Sequence, residues 1–160
     1  MQFELKTHHK KILADTITPV SVYLKIRDRF PNSILLESSD YHANDNSFSY
    51  ICCNPIASIK VENEMISKEF PNGDKETIQI TDTVDVMQEI DLFSKQFKVA
   101  DQDFKFITNG LFGFMAYDAV RYFEDVKISK KDNSIAIPDM YYAVYQNIIA
   151  INHFKNEAYL

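Results

Sequence analysis

The sequence predicts an α+β fold made mainly of antiparallel β-sheet with two main helices. Its predicted strands follow one another through short turns, whereas a parallel sheet needs long crossover connections. Helical spacing of apolar residues occurs in two stretches, 19–30 and 84–97. The 160 residues, 46% of them hydrophobic, are enough to bury one core, so we expect a single domain over 1–160.

The N-terminal part predicts a strand followed by a capped helix. Alternating apolar and polar residues over 3–13 indicate a strand that is exposed on one side. Thr18 is suited to cap a helix and Pro19 to occupy its first position. The predicted helix 19–30 then ends at Pro31.

Turn residues divide the remainder of the chain into short strands and one more helix. The run Pro-Asn-Gly-Asp at 71–74 predicts a hairpin. Asn54-Pro55 is expected to separate two strands, and Thr83 to cap the second helix. Asp118 is a candidate cap for a short helix over 119–124. Strands are predicted over 34–36, 48–53, 56–62, 64–70, 76–81 and 140–152, and a polar loop over 39–47.

Composition excludes several classes of function. The chain has 23 acidic and 17 basic residues and a net charge of −6, which disfavours a nucleic-acid partner. Three glycines leave no room for a glycine-rich phosphate loop. No apolar run approaches the roughly 20 residues of a membrane span, and the first residues do not read as a signal peptide. A cytoplasmic location without a membrane association is therefore expected.

The cysteines and histidines predict neither a disulfide nor a metal site. Cys52 and Cys53 are adjacent and on a strand would point to opposite faces, so we expect buried free thiols in a reducing compartment. The histidines lack acidic or cysteine partners at metal-ligand spacing, which predicts solvated or turn side chains; they are His8, His9, His42 and His153.

No catalytic constellation stands out among the charged residues. Asp118 and Arg121 are three residues apart and are expected to form a local ion pair beside a helix cap. The acids Asp82, Asp85 and Glu89 are typical of a solvated helix face.

One polar pair is placed where a ligand could reach it. Glu37 and Ser38 directly follow the apolar strand 34–36. A carboxylate there can hold an ammonium group, and the adjacent hydroxyl can make a second polar contact. A pair that faces only water is the other interpretation of this pattern.

Several segments resemble anthranilate synthase component I, the large, chorismate-converting subunit. Leu-Leu-Glu-Ser at 35–38, preceded by the Thr-Pro-led helix, is the centre of the resemblance. Phe-Ser-Tyr-Ile at 48–51 and Gly-Leu-Phe-Gly-Phe-Met-Ala-Tyr-Asp at 110–118 with Arg121 match further landmarks. The likeness continues from Pro138 through the strand that follows it. It covers essentially this whole chain but only the N-terminal third of the family's subunit.

The resemblance implies an incomplete, sandwich-like N-terminal part of a larger enzyme. The family's subunit converts chorismate and ammonia to anthranilate and pyruvate with Mg²⁺, and a glutamine amidotransferase subunit supplies the ammonia. Chorismate and Mg²⁺ are bound by the catalytic region, so no catalytic residue, metal or cofactor is expected here. Glu37 and Ser38 match the half of the tryptophan feedback-inhibition site that lies in this part. The other half, a Pro-x-Pro-Tyr-Met segment, belongs to the catalytic region, and an arginine common in the family is replaced by Ser47.

Two alternatives stay open. The chain is also compatible with the same region of aminodeoxychorismate synthase component I, or with a β-rich interaction domain that binds no small ligand. Because residues 153–160 look like the start of a hairpin, a piece cut from a longer protein is expected. Such a piece would leave strand 140–152 without its neighbour, which predicts self-association through exposed strand edges.

Overall fold

The computed structural model describes residues 2–37, 47–100, 104, 106–126, 128 and 137–160. These residues pack as two compact units, here called unit 1 and unit 2. Unit 1 comprises Met1–Phe3, Ile56–Phe97 and Leu111–Ala143, and unit 2 comprises Glu4–Pro55, Lys98–Gly110 and Val144–Leu160, in each case as far as they are described. The fold is α+β with antiparallel pairing, as predicted.

The described residues form ten strands, two α-helices and one 3₁₀ helix. The strands are β1 Phe3–Leu5, β2 Lys11–Leu13, β3 Ile34–Leu36, β4 Phe48–Glu62, β5 Met65–Glu69, β6 Lys75–Gln79, β7 Phe97–Val99, β8 Phe112–Met115, β9 Met140–Asn152 and β10 Glu157–Tyr159. The α-helices are α1 Pro19–Ile26 and α2 Val86–Ser94, and the 3₁₀ helix is Tyr117–Tyr122. Neither α-helix has the length and apolar character needed to cross a membrane.

Helix α1 begins where the sequence predicts. The Thr18 hydroxyl accepts the Ser21 N–H at 3.1 Å, and the Ser21 hydroxyl accepts the Thr18 N–H at 3.1 Å. This reciprocal capping satisfies donors that a helix start otherwise leaves free, and Pro19 occupies the first turn. The helix ends at Ile26, four residues earlier than predicted, and the chain continues in turns over 27–29, where the Arg29 N–H donates to the Ile26 carbonyl at 2.9 Å.

The N-terminal strand prediction is only partly right. The predicted strand 3–13 is two short strands, β1 and β2, separated by irregular chain over 6–10. Strand β1 pairs with β7, whereas β2 pairs with β10, so the two strands serve different sheets. Local alternation could not show that one run of residues has two distant partners.

Unit 1 is built on the predicted hairpin. Strands β5 and β6 pair antiparallel with Ile66 opposite Ile78, and β5 also pairs with the end of β4. Helix α2 begins after Asp85, whose carboxylate accepts the N–H groups of Met87 and Gln88. The predicted cap Thr83 is therefore wrong, because the cap lies two residues later. The helix also starts two residues later and ends three residues earlier than the predicted bounds 84–97. The aromatic core of the unit consists of Phe93 with Phe3, Phe70 and Phe97.

Unit 2 is closed by strands from opposite ends of the sequence. Strand β10 pairs antiparallel with both β9 and β2, placing Ala158 opposite Ile151 and Ile12. Strand β3 pairs with β4, with Leu35 opposite Ile51. The buried cluster of Ala14, Ile51, Ile151 and Ala158 forms the core beneath these strands.

Strand β4 passes through Asn54-Pro55 without interruption, so the predicted division into two strands is wrong. Asn54 takes a left-handed conformation with φ +61°. Asparagine tolerates this conformation better than most residues, which allows a local bend while the strand continues. Residues of β4, like those of β9, belong to both units.

Strand β9 does not present the unpaired edge that the sequence suggested. Strand β8 pairs with Met140–Ala143 at one end, β10 pairs with Ala150–Asn152 at the other, and β4 is a further hydrogen-bonded neighbour. The segment after the turn at 153–156 supplies the partner that was expected to be missing. The expectation that β9 lacks the neighbour that follows it is therefore wrong, whereas self-association of the chain stays a prediction.

Candidate functional site

Glu37 lies just beyond the end of β3, as predicted. Leu36, the last residue of β3, lies opposite Tyr50 of β4, and Glu37 follows on the surface of unit 2 with an exposed side chain. Tyr50 is fixed at this edge because its hydroxyl accepts the backbone N–H of Ile107 at 3.1 Å. Ser38 lies outside the described residues. A joint role for Glu37 and Ser38 therefore stays a prediction.

Unit 2 also contains a cavity of about 430 Å³ that the sequence did not suggest. Three stretches contribute to its wall: 6–9, 106–109 and 145–150. Ile26 and Phe30 border it on one side, and Tyr159 and Leu160 on another. The stretches lie up to about 150 residues apart in the chain, so no local motif could have indicated the cavity.

Both cysteines are buried free thiols, as predicted. Burial, with a smaller contribution from the neighbouring Cys53, raises the pKa of Cys52 to about 12. Burial also raises the pKa of Cys53, against the effect of a hydrogen bond with Asn147. A raised pKa keeps a thiol protonated and weakly nucleophilic, so neither cysteine resembles a catalytic nucleophile.

The histidines divide into two groups. His8 and His9 are exposed, as predicted, yet both border the cavity. His153 is half-buried, and its Nε2 lies 2.7 Å from the hydroxyl of the fully buried Ser49. His153 lies in the turn after β9, as predicted, and this turn brings it to Ser49 of β4 instead of leaving it fully in solvent. His42 lies outside the described residues.

Arg121 pairs with a different acid from the one predicted. Its guanidinium donates to the Asp139 carboxylate at 2.6 Å and only to the backbone carbonyl of Asp118 at 3.3 Å. The Tyr122 hydroxyl donates to the same Asp139 oxygen at 2.9 Å. Burial and this hydrogen bond raise the pKa of Tyr122. The 3₁₀ helix starts at Tyr117, so Asp118 lies inside it instead of capping it.

The predicted solvated acidic face of α2 is also wrong at Glu89. The Glu89 carboxylate accepts from the buried ammonium of Lys68 at 2.6 Å. In the described part of the chain, no three His, Cys, Asp or Glu side chains are grouped so that they could hold a metal ion. The charged clusters of unit 1 are therefore structural ion pairs.

The described residues define an α+β protein whose sheets are antiparallel and whose surface carries a carboxylate at the end of an apolar strand. Comparison with solved structures gives the same fold. Anthranilate synthase component I from Streptococcus pneumoniae TIGR4 matches with a TM-score of 0.51 and 22% identity, over 95% of this chain and 31% of that one. No family model matches the sequence.

Curated relatives carry the same name. Anthranilate synthase component 1 of Lactococcus lactis is 31% identical over 156 residues, which are 92% of this chain and 30% of the relative. The protein of the same name from Thermus thermophilus is 26% identical over 158 residues, or 98% of this chain and 32% of that one. Over nearly all of its own length the chain is therefore homologous to a part of anthranilate synthase component I. It spans about a third of the length of these relatives.

Proposed function

We propose that this chain is the N-terminal regulatory and structural part of an anthranilate synthase component I, which acts in tryptophan biosynthesis in the cytoplasm. The remaining part of such a protein converts chorismate and ammonia to anthranilate and pyruvate, and a glutamine amidotransferase subunit supplies the ammonia. The observation that carries this proposal is the match to the Lactococcus lactis protein over nearly all of this chain and only 30% of that relative.

The chain by itself is proposed to be inactive toward chorismate. The Mg²⁺ that the family implies would need several oxygen ligands. Among the described residues no three His, Cys, Asp or Glu side chains are grouped to form such a set, and the carboxylates of Glu89 and Asp139 are engaged by Lys68 and Arg121. These residues do not fit the metal, so its ligands would come from the part of the relatives that this chain does not match.

Glu37 and Ser38 are proposed to form half of a tryptophan feedback site. Support comes from the position of Glu37, which is exposed and directly follows Leu36, the residue of β3 that lies opposite the anchored Tyr50. A carboxylate there would attract the α-ammonium group of tryptophan, and Ser38 would add a polar contact of roughly 1 kcal/mol. The other half of the site would be contributed by the catalytic region.

A chimera tests the proposal. This chain would replace the matching 156 residues of the Lactococcus lactis protein, and anthranilate fluorescence would be followed with chorismate, Mg²⁺ and ammonium. We expect an active chimera that tryptophan inhibits, and no activity from this chain alone. An active chimera that tryptophan does not inhibit would favour the aminodeoxychorismate synthase alternative, and an inactive but folded chimera would favour an interaction domain.

Site variants of the same chimera test the residues. Glu37→Gln and Ser38→Ala should each raise the tryptophan concentration for half inhibition by about fivefold or more and leave uninhibited turnover unchanged. Glu124→Gln, at an exposed position of unit 1, serves as the matched control. Unchanged inhibition in both site variants would refute the assignment.

A further inference from the structure

The cavity of unit 2 has the dimensions of a small-molecule site. Its volume of about 430 Å³ lies within the range of roughly 300–1,000 Å³ that is usual for ligand pockets. All of the residues in its wall belong to one compact unit.

The described wall of the cavity contains basic side chains and no acidic ones. Lys6, His8 and His9 border the cavity, whereas no Asp or Glu side chain among the described residues does. This is unexpected in a chain with 23 acidic and 17 basic residues. A lysine ammonium and the N–H donors that a histidine ring has in either protonation state favour an anion.

Aromatic and aliphatic groups form the rest of the wall. The rings of Phe106 and Tyr159 pack with their centroids 4.6 Å apart. Ile26, the last residue of α1, and Phe30, which follows the helix, also border the cavity. Phe106 is held further by Phe48, at 5.4 Å. A ligand that filled this space would need an apolar body beside its charge.

Polar side chains at the wall are already oriented by neighbours. The Gln146 carbonyl accepts from the Asn54 amide, so the Gln146 amide group keeps its own N–H donors. The Asn109 amide donates to the Thr7 hydroxyl at 2.7 Å, which fixes its position. Groups held in this way lose little freedom when a ligand binds.

We propose that this cavity binds a small organic anion, namely a carboxylate on an aromatic or aliphatic body. A free amino acid fits less well, because its ammonium group would meet Lys6 and the two histidines with no Asp or Glu side chain among the described wall residues. Glu37 does not border the cavity, so this site is separate from the proposed tryptophan site.

Calorimetric titration of the 160-residue chain with matched probes tests the charge selection. The C-terminal carboxyl group of the chain is amidated, because Leu160 borders the cavity and a free carboxylate there would add a negative charge. We expect 3-phenylpropanoate to bind at least about tenfold more tightly than L-phenylalanine and than 3-phenylpropylamine. The three probes share an aromatic body and differ in charge. Equal or tighter binding of the zwitterion or the amine, or no binding of the carboxylate up to about 10 mM, would overturn the proposal.

Variants locate the binding. Lys6→Gln should weaken 3-phenylpropanoate binding by about fivefold, and Asn109→Asp, which adds a negative charge to the wall, by about tenfold or more. Lys10→Gln is the control, since Lys10 is exposed but outside the wall. Glu37→Gln should also leave binding unchanged, which separates this test from that of the tryptophan site. Thermal melting identifies any variant that fails to fold, and unchanged affinity in both folded wall variants would contradict the assignment.

Discussion

The Nζ of Lys68 lies 2.6 Å from Oε2 of Glu89, so the middle of β5 is joined to helix α2. Lys68 is only 3% exposed, and Glu76 of the neighbouring strand is a second partner at 3.3 Å. An ammonium group removed from water is costly unless its charge is paired. The position of α2 on the hairpin therefore depends on an ion pair as well as on the packing of Phe93.

Removing the charge of Glu89 should destabilise unit 1. We expect Glu89→Gln to lower the free energy of unfolding by about 1–3 kcal/mol, because Lys68 would keep only the more exposed Glu76 as a charged partner. Urea denaturation measures this change. The control is Asp91→Asn, which removes the exposed pair with Lys95 and should cost less than about 0.5 kcal/mol. Equal losses in the two variants would contradict the role of the buried pair.

Gly113 is required by the close approach of β8 to β9. A Cβ at this position would lie 1.9 Å from the carbonyl oxygen of Tyr141, and main-chain atoms cannot move aside without breaking the pairing. Gly113→Ala should therefore cost about 3 kcal/mol or more. Gly73→Ala has no atom within 4 Å and is strained only by its φ of +87°, so about 1 kcal/mol is expected. A smaller loss at Gly113 than at Gly73, measured by urea denaturation, would show that the two strands separate easily.

The capping box of α1 makes a local contribution to stability. Thr18→Ala removes the side chain that accepts the Ser21 N–H and should lower the free energy of unfolding by about 1 kcal/mol. Thr16→Ala, two residues earlier and also exposed, should change it by less than about 0.5 kcal/mol. Thermal or urea unfolding of both variants checks the difference. If both behave like the parent chain, the hydrogen bonds of the box are not important for the fold.

The buried thiol of Cys52 predicts a loss of stability at alkaline pH. Its pKa rises from 9.0 to about 12 on folding, so between these values the unfolded chain releases a proton that the folded chain retains. The free energy of unfolding then falls as pH rises, by up to about 1.4 kcal/mol per pH unit from this group. Below pH 9 the thiol is protonated in both states and has no such effect.

Comparison with Cys52→Ala isolates this effect, since tyrosines and lysines titrate in both proteins. We expect the variant to lose stability less steeply between pH 9 and 11. Urea unfolding at several pH values measures the two slopes. Parallel slopes would mean that Cys52 ionises in the folded chain as readily as in the unfolded one.

Local signals in the sequence predicted local structure well. Thr18-Pro19 marks the start of α1, and the turn at 71–74 gives the hairpin of β5 and β6, because both features depend on neighbouring residues. The dense β-branched and aromatic residues of 140–152 predicted strand β9, but they did not predict which strands pair with it. The position of Glu37 at a strand end was also accessible from sequence.

Contacts between distant residues could not be predicted. Arg121 forms its ion pair with Asp139, 18 residues later in the chain, and not with Asp118, three residues before it. The pairing of β8 with β9 brings Asp139 close to Arg121. Ser49 meets His153 across 104 residues. The cavity likewise depends on tertiary structure, since its basic side chains come from 6–9 and much of its apolar wall from 106–109 and 145–150.

The pairing of β2 with β10 has a consequence for the order in which a nascent chain can fold. Lys11 lies opposite Tyr159, so β2 cannot pair with β10 until residue 159 has emerged from the ribosome. The hairpin of β5 and β6 can pair as soon as residue 79 has emerged. Unit 2 therefore forms after the hairpin of unit 1, and Ile12 and the other apolar residues that line its core are available to chaperones until β10 arrives.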